Sequence, residues 1–285
     1  VLNNLLLATA CFTVLVGTLY PLFLDVIGGG KISVGPPYFE LTFIPLMVPL
    51  LLALAVGPLM PWKRADLRGV LSRMKAVCAF ALVVWGLAWW FSTGASPLPA
   101  FGIALATWIA VAVGLEYAER IQLFRMPLGQ SWRRARGLPR AAYGMSVAHL
   151  GMAVLVAGVT ASSSWQSEVI RAMAPGESQD IAGYTITFEG TRQVNGPNYS
   201  AERGQFRIFR GGEEIAVMEP EKRQFFVQTM QTTEAAIRTN LLGDLYVVLG
   251  DRAESGAWAV RLYYNPLVPW IWGGCLLMVF GGLIS

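Results

Sequence analysis

Histidine is nearly missing from this chain: His149 is the only one in 285 residues. Cysteine is almost as scarce. Cys11, Cys78 and Cys275 stand far apart in apolar stretches, with no CxxC or CxxCH pattern. That excludes a dithiol relay and covalent haem attachment to this chain, and leaves each thiol the role of a small hydrophobe. Charge is thin as well, at 14% of residues, where a soluble chain carries about 25%. What fills the space is apolar: 54% hydrophobic residues, 10 Trp, 14 Phe and a mean hydropathy of +0.49. The composition is that of an integral membrane protein. The net charge of +4 is no nucleic-acid signal, because the basic residues gather in short loops. Both chain ends fall inside apolar runs, as expected of a piece of something longer.

Six apolar segments reach the roughly 20-residue spanning length: about 3–24, 43–61, 76–92, 100–117, 142–161 and 267–285. The first has no basic leader and no small-residue cleavage site, so it reads as a span and not a signal peptide. Trp62 to Lys75 carries Lys63, Arg64, Arg68, Arg73 and Lys75 against Asp66. Ala118 to Ala142 carries Arg120, Arg125, Arg133, Arg134, Arg136 and Arg140 against Glu119. Loop 25–42 has only Asp25, Lys31 and Glu40, and loop 93–99 has no charge. Short cytoplasmic loops are the Lys/Arg-rich ones. With six spans both basic loops share the cytoplasmic side, the N-terminus lies there too, and loops 25–42, 93–99 and 162–266 face outward. The basic loops could also bind anionic membrane lipid or a partner, although topology alone accounts for them.

Residues 162–266 differ in kind, with 13 acidic and 10 basic residues. The apolar pattern shifts to period two in Tyr184–Phe188 and Phe206–Ile208. Arg210-Gly-Gly-Glu213 reads as a hairpin turn between Phe206–Phe209 and Ile215–Met218. Further strands are expected at Phe225–Gln228, Ala235–Thr239, Asp244–Leu249 and Ala257–Tyr264, punctuated by Gly190, Asn195-Gly-Pro197, Gly243 and Gly256. The fold class is therefore a membrane all-α bundle of about six helices with an inserted all-β domain. That domain is a small antiparallel barrel or sandwich, with an OB-like barrel among the options. The domains divide as 1–161, 162–266 and 267–285. Glu213-Glu214 and Glu219-Pro-Glu221 read as solvated hairpin ends, not as a catalytic acid pair. Tyr263, Tyr264, Trp270 and Trp272 suit an aromatic belt.

His149 sits in the span from Arg140 to Thr160, sharing a helical face with Met145, Ser146, Met152, Ala153 and Val156. An ionisable group inside a bilayer is costly and marks a functional site by default. An imidazole is also the usual protein ligand to haem iron. Gly144, Ala148, Gly151, Ala157 and Gly158 would admit either a flat macrocycle or a second helix. A plain hydrogen bond to a neighbouring helix is the rival role for His149. In Gly28–Glu40, a Gly/Pro-rich stretch that is not a nucleotide P-loop, Gly35, Pro36, Pro37 and Tyr38 form either a stiff turn or a surface touching a cofactor or partner.

Four stretches carry a resemblance: Gly17-Thr-Leu-Tyr-Pro-Leu22, Gly30-Lys-Ile-Ser-Val-Gly-Pro-Pro-Tyr-Phe39, Ala148-His-Leu-Gly151, and Pro266-Leu-Val-Pro-Trp-Ile-Trp-Gly-Gly274. Together they resemble the C-terminal half of the CcmF family, the large membrane subunit of the bacterial cytochrome c maturation (System I) haem lyase. The resemblance implies haem delivery by a CcmE-like chaperone and thioether bonding to CxxCH cysteines of apocytochrome c. It also implies CcmH- and CcmI-like partner subunits. A membrane b haem, reduced by quinol, would reduce the incoming substrate haem, and His149 matches one of its two histidine ligands. The second ligand would come from the N-terminal half of the same protein. Met145 or Met152 could substitute chemically. The family's tryptophan-rich WWD segment is absent: Trp89-Trp90 lacks its Gly/Asp context and belongs to a span. Implied with the family are a bacterial inner-membrane location and a periplasmic β-domain. The competing readings are a haem or small-molecule transporter, which predicts inverted repeats or broken helices at the midplane and finds neither in the sequence, and a structural anchor presenting the β-domain to assembly partners.

Overall fold

The computed structural model describes residues 2–60, 67–92, 96–227, 231–254 and 256–285. Lys63, Arg64 and Asp66 of the first basic loop, residues 93–95 and Gln228 lie outside them. Two compact units emerge, Val1–Ala153 with Gly274–Ser285, and Val154–Gly273.

The first unit is helical. In chain order it holds α1 (Leu2–Val26), α2 (Pro36–Val56, prolonged by a 3-10 turn to Leu59), α3 (Leu67–Arg73), α4 (Lys75–Phe91), α5 (Pro97–Arg120) and α6 (Leu128–Arg136). It also takes the N-terminal part of α7 (Arg140–Ser164) and the C-terminal part of α8 (Val268–Ile284). Pro36 and Pro97 open their helices where a missing N–H costs nothing. The Ser96 hydroxyl accepts from the Leu98 N–H (3.3 Å) and caps α5. Hydroxyls within these apolar helices fold back on their own backbone: Thr18 donates to Val14 C=O (2.8 Å) and Thr107 to Ile103 C=O (2.9 Å).

Among the described residues, four helices are long and apolar enough to cross a membrane: Leu2–Val26, Pro36–Leu59, Pro97–Arg120 and Arg140–Ser164. A fifth span exists if α3 and α4, bent by 55°, count as one. The expected sixth, α8, has 17 residues and falls short of that length. The bend is not at mid-span. It lies at Met74, near one end of the pair, where Met74 is fully buried against Ala55, Leu59, Val70, Val77 and Ala112. Neither Pro nor Gly stands at Met74, so the break was invisible in the sequence. α2 begins at Pro36, so Pro36–Phe39 are helix and not loop. The basic loop 118–142 contains a helix of its own, α6, with the Arg136 guanidinium 5.2 Å from the Trp132 ring.

Among the described residues, the second unit holds ten strands in two antiparallel sheets. The ranges are β1 (Ser167–Met173), β2 (Ser178–Ile181), β3 (Tyr184–Asn195), β4 (Tyr199–Arg210), β5 (Glu213–Met218), β6 (Glu221–Phe225), β7 (Gln231–Glu234), β8 (Ala236–Asn240), β9 (Gly243–Arg252) and β10 (Trp258–Pro266). One sheet runs β1-β10-β9-β8. The other runs β2-β3-β4-β6-β7, with β5 paired to β4. This is a two-sheet sandwich, with more strands than an OB barrel needs.

Alternation builds its core. Ile186 and Phe188, Phe206 and Ile208, Val247 and Leu249, and Val260 and Leu262 each place two residues of one strand inward, all essentially inaccessible. The Phe188 and Phe206 rings stack at 4.8 Å. The Gly211-Gly212 turn forms as expected, with φ of 60° and 87°, the two positive values a two-residue hairpin requires. Strands β1, β2 and β7 were missed, and β6 spans Glu221–Phe225 instead of Phe225–Gln228. The sequences of β2, β6 and β7 are largely polar and pair by backbone ladder, with Arg203 opposite Glu221 and Tyr199 opposite Phe225, so no apolar period announces them, and in β1 the adjacent Val169-Ile170 breaks the period-two pattern.

The β8–β9 turn is fastened to the start of α8. Leu267 N–H donates to Leu242 C=O (2.9 Å), Trp270 Nε1–H to Leu241 C=O (3.0 Å), and the Tyr264 hydroxyl to Leu242 C=O (3.2 Å).

Candidate functional site

α7 has two occupied faces. Gly144, Gly151 and Gly158 recur every seven residues, on one stripe of the helix within about 40°. A β-carbon on Gly151 would lie 2.7 Å from Gly274 O and 2.8 Å from Met278 N. One on Gly144 would lie 2.5 Å from Gly281 O, and one on Gly158 2.8 Å from Ile271 N. These glycines admit the backbone of α8. Of the two uses weighed for the small residues, helix packing is the one observed.

His149 points elsewhere, about 140–160° around the helix from Gly144 and Gly151. It lies ten residues into α7, about 14 Å from its start and near the middle of a ~30 Å hydrocarbon layer. With Met145 and Ser146 of α7 it lines a cavity closed by Leu54, Ala55 and Pro58 of α2 and by Ala112, Val113 and Glu116 of α5. The cavity volume is ≈ 10 Å³, about the space one water needs.

Two polar atoms in this wall lack partners among the described residues: His149 Nδ1 and Glu116 Oε2, both buried. Glu116 is only 5% exposed. Its other oxygen is held by Arg120 Nε, one turn on. The Ser146 hydroxyl donates to Ala142 C=O (3.0 Å) and keeps its lone pairs free to accept. The imidazole is half-buried, and Nε2 is not among the buried, unpartnered atoms. A neutral ring with its Nδ1–H turned inward and its Nε2 lone pair turned outward suits one axial bond to a haem iron.

Met145 thus joins His149, whereas Met152 is not in the cavity wall. Gly35, Pro36, Pro37 and Tyr38 are also elsewhere. Gly35 precedes α2, and Pro36 and Pro37 form its first turn. Tyr38 is 16 residues from Leu54, about 24 Å along the helix. Its hydroxyl donates to Thr13 C=O (3.0 Å), and its ring leaves no room for a side chain on Gly17. Of these four residues, Tyr38 ties α2 to α1.

Glu116 was not singled out from the sequence. The signal was available: only five acidic residues stand outside 162–266, and this one falls inside an apolar segment, where a carboxylate is costly.

In the sandwich, one reading needs correcting. Glu221 is not a solvated hairpin end: it is 5% exposed. It accepts from Arg203 Nε (2.6 Å) and Arg223 Nε (2.7 Å). Burial would raise its pKa, but the hydrogen bonds and charges of Arg223 and Arg203 outweigh burial and hold the carboxyl below the usual range. Glu213 and Glu214 are exposed as expected, or nearly so, with Glu214 paired to Arg207. No cluster of three or more potential metal ligands occurs among the described residues.

Comparison with known proteins gives this architecture a context. Residues 164–266 match the family described as the CcmF C-terminal beta-sandwich. The chain is 44% identical over 285 residues to the cytochrome c-type biogenesis protein CycK of Bradyrhizobium diazoefficiens, covering 100% of this chain and 43% of that protein. It is 40% identical to CcmF of Pseudomonas aeruginosa, covering 100% of this chain and 42% of that protein. With CcmF of Escherichia coli the identity is 39% over 283 residues, covering 99% of this chain and 42% of that protein. A solved structure titled Cytochrome c Heme Lyase CcmF superposes with a TM-score of 0.74 at 24% identity, covering 99% of this chain and 44% of its own. At that identity the likeness establishes the fold. The chain spans less than half the length of these proteins, and with its apolar helices it is a multi-pass membrane protein. Along its whole length the chain is similar to the C-terminal part of CcmF-type cytochrome c-type biogenesis proteins, and residues 164–266 carry the sandwich described for that part.

Proposed function

We propose that this chain acts as the C-terminal part of a cytochrome c haem lyase of the bacterial inner membrane, and that His149 supplies one axial ligand to a membrane-embedded b haem. The observation that supports this most is the His149 ring. It is the only imidazole in the chain, it stands mid-span, and its one buried nitrogen belongs to the wall of a largely apolar cavity that Glu116 and Ser146 also line. The other nitrogen is left for iron. The second axial ligand comes from the N-terminal half of the same protein, because no further histidine exists here.

Bound haem would supply a one-electron centre whose potential follows from ligation and burial. This chain's own residues orient the imidazole and keep its surroundings apolar through Leu54, Ala55, Val113 and Met145. In this reading the reductant is quinol, and the acceptor is substrate haem delivered by a CcmE-like chaperone. CcmH- and CcmI-like subunits present the reduced CxxCH of apocytochrome c. The sandwich faces the periplasm, and the arginines of α6 and its flanks lie on the cytoplasmic side beside anionic lipid. No residue of this chain forms a covalent intermediate.

The test is a reduced-minus-oxidised optical spectrum of the purified full-length protein, with and without His149→Ala. Loss of the b-type bands in the variant is expected. Full retention of a normally reducible b haem would place its ligands elsewhere and overturn the assignment.

A further inference from the structure

Building on the reading of His149 as an axial ligand, we infer that Glu116 is its positioning residue, acting through one water in the cavity between α2, α5 and α7. If Nε2 binds iron, the ring proton sits on Nδ1. That N–H is buried and has no acceptor among the described residues. A metal-ligating histidine ordinarily donates this proton to a carboxylate, a carbonyl or a water. Here the cavity is about large enough for one water, and Glu116, Ser146 and His149 are among the residues that line it. The water accepts from His149 Nδ1–H and donates one hydrogen to Glu116 Oε2 and the other to the Ser146 oxygen. Each of these atoms has that capacity spare.

Arg120 completes the arrangement. It holds one carboxylate oxygen of Glu116 and so aims the other into the cavity. It also makes a buried negative charge tolerable. The carboxylate fixes the imidazole tautomer and ring plane and increases the electron donation of Nε2 to iron, which favours the ferric state. Arg120 offsets part of that charge. The two residues therefore act on the haem with opposite sign.

Potentiometric titration of the haem absorbance in the full-length protein tests this, on the wild type and on Glu116→Gln, Arg120→Gln and His149→Ala. The midpoint is expected to rise in Glu116→Gln and to fall in Arg120→Gln, with the b-type bands retained in both. A purely structural role would not give shifts of opposite sign. If both midpoints stay unchanged, or both move the same way, while His149→Ala loses the haem, the role of Glu116 is wrong and the axial role of His149 stands. If His149→Ala keeps the haem, the axial reading fails and takes this one with it. If Glu116→Gln cannot retain haem, Arg120→Gln decides: a fall supports the inference, and no change or a rise overturns it.

Discussion

Gly151→Val separates α7 from α8 and sharply lowers the thermal midpoint of the detergent-solubilised protein. A β-carbon at this position meets Gly274 O at 2.7 Å, Met278 N at 2.8 Å and Leu277 Cβ at 2.9 Å. Two of the three are backbone atoms and the third is bonded to the backbone, so no rotamer change relieves them. Overpacking a core by a few methyl groups costs about 1–3 kcal/mol, and a clash with rigid helix backbone belongs at or above the top of that range. Gly281→Val probes the same contact from the other helix, where a β-carbon would stand 2.5 Å from Ala148 N. Gly86→Ala is the control. Nothing lies within 4 Å of a β-carbon there, and the helix propensity of alanine favours it by about 1 kcal/mol. Equal midpoints for Gly151→Val and the wild type would show that the two helices do not pack through their glycines.

The second large effect is in the sandwich. Glu221→Gln leaves Arg203 and Arg223 facing one another across a neutral amide. Removing one partner of a buried ion pair costs about 3–5 kcal/mol. Arg203 keeps Glu219 at 3.6 Å, and Arg223 keeps Glu234 at 3.2 Å and the Tyr199 ring at 4.6 Å, so a loss of roughly 2–3 kcal/mol is expected. Hydrogen exchange of β4 and β6 amides reads it directly, as protection lost relative to β9 and β10. The pH dependence follows from the direction of the shift. The folded-state pKa of Glu221 lies below the unfolded value. Its contribution is therefore complete above the ordinary glutamate range and disappears as pH falls through the lower, folded value. In Glu221→Gln the part of the acid destabilisation that this carboxylate causes is gone. Unchanged protection in the variant would mean that the two arginines find full compensation in Glu219 and Glu234.

These residues also show how far the sequence can be read. Alternation in Tyr184–Phe188 and the glycine pair at 211–212 announced a hairpin-rich β-domain because burial on one face leaves a period-two record. Gln231–Glu234 and Glu221–Gln224 left none, since their pairing rests on backbone bonds and on ion pairs between strands distant in sequence. Glu221 was misjudged for the same reason: Arg223 is two residues on along its own strand, but Arg203 lies on β4, and only the register brings it opposite Glu221. His149 was conspicuous by its rarity. Glu116 was not, although the same cost rule applies to it, because it stood next to the charged end of its segment. Gly144 and Gly151 were legible as small residues, but a glycine stripe suits a helix or a macrocycle equally well until the neighbour is seen.

The glycine stripe has a consequence for the phase of α7. An α-helix turns 100° per residue, so contacts to Gly274 and Gly281 that pin Gly144 and Gly151 also fix the compass bearing of every other side chain between them. His149 lies within that interval. One residue inserted after Gly144 would carry Gly144 and the imidazole about 100° out of register with each other, and no side-chain repacking could restore both. The interval therefore has a quantised length. It tolerates changes of side chain, and of residue number only by whole turns, so the bearing of the single imidazole is protected by an indexing contact on the far side of its own helix.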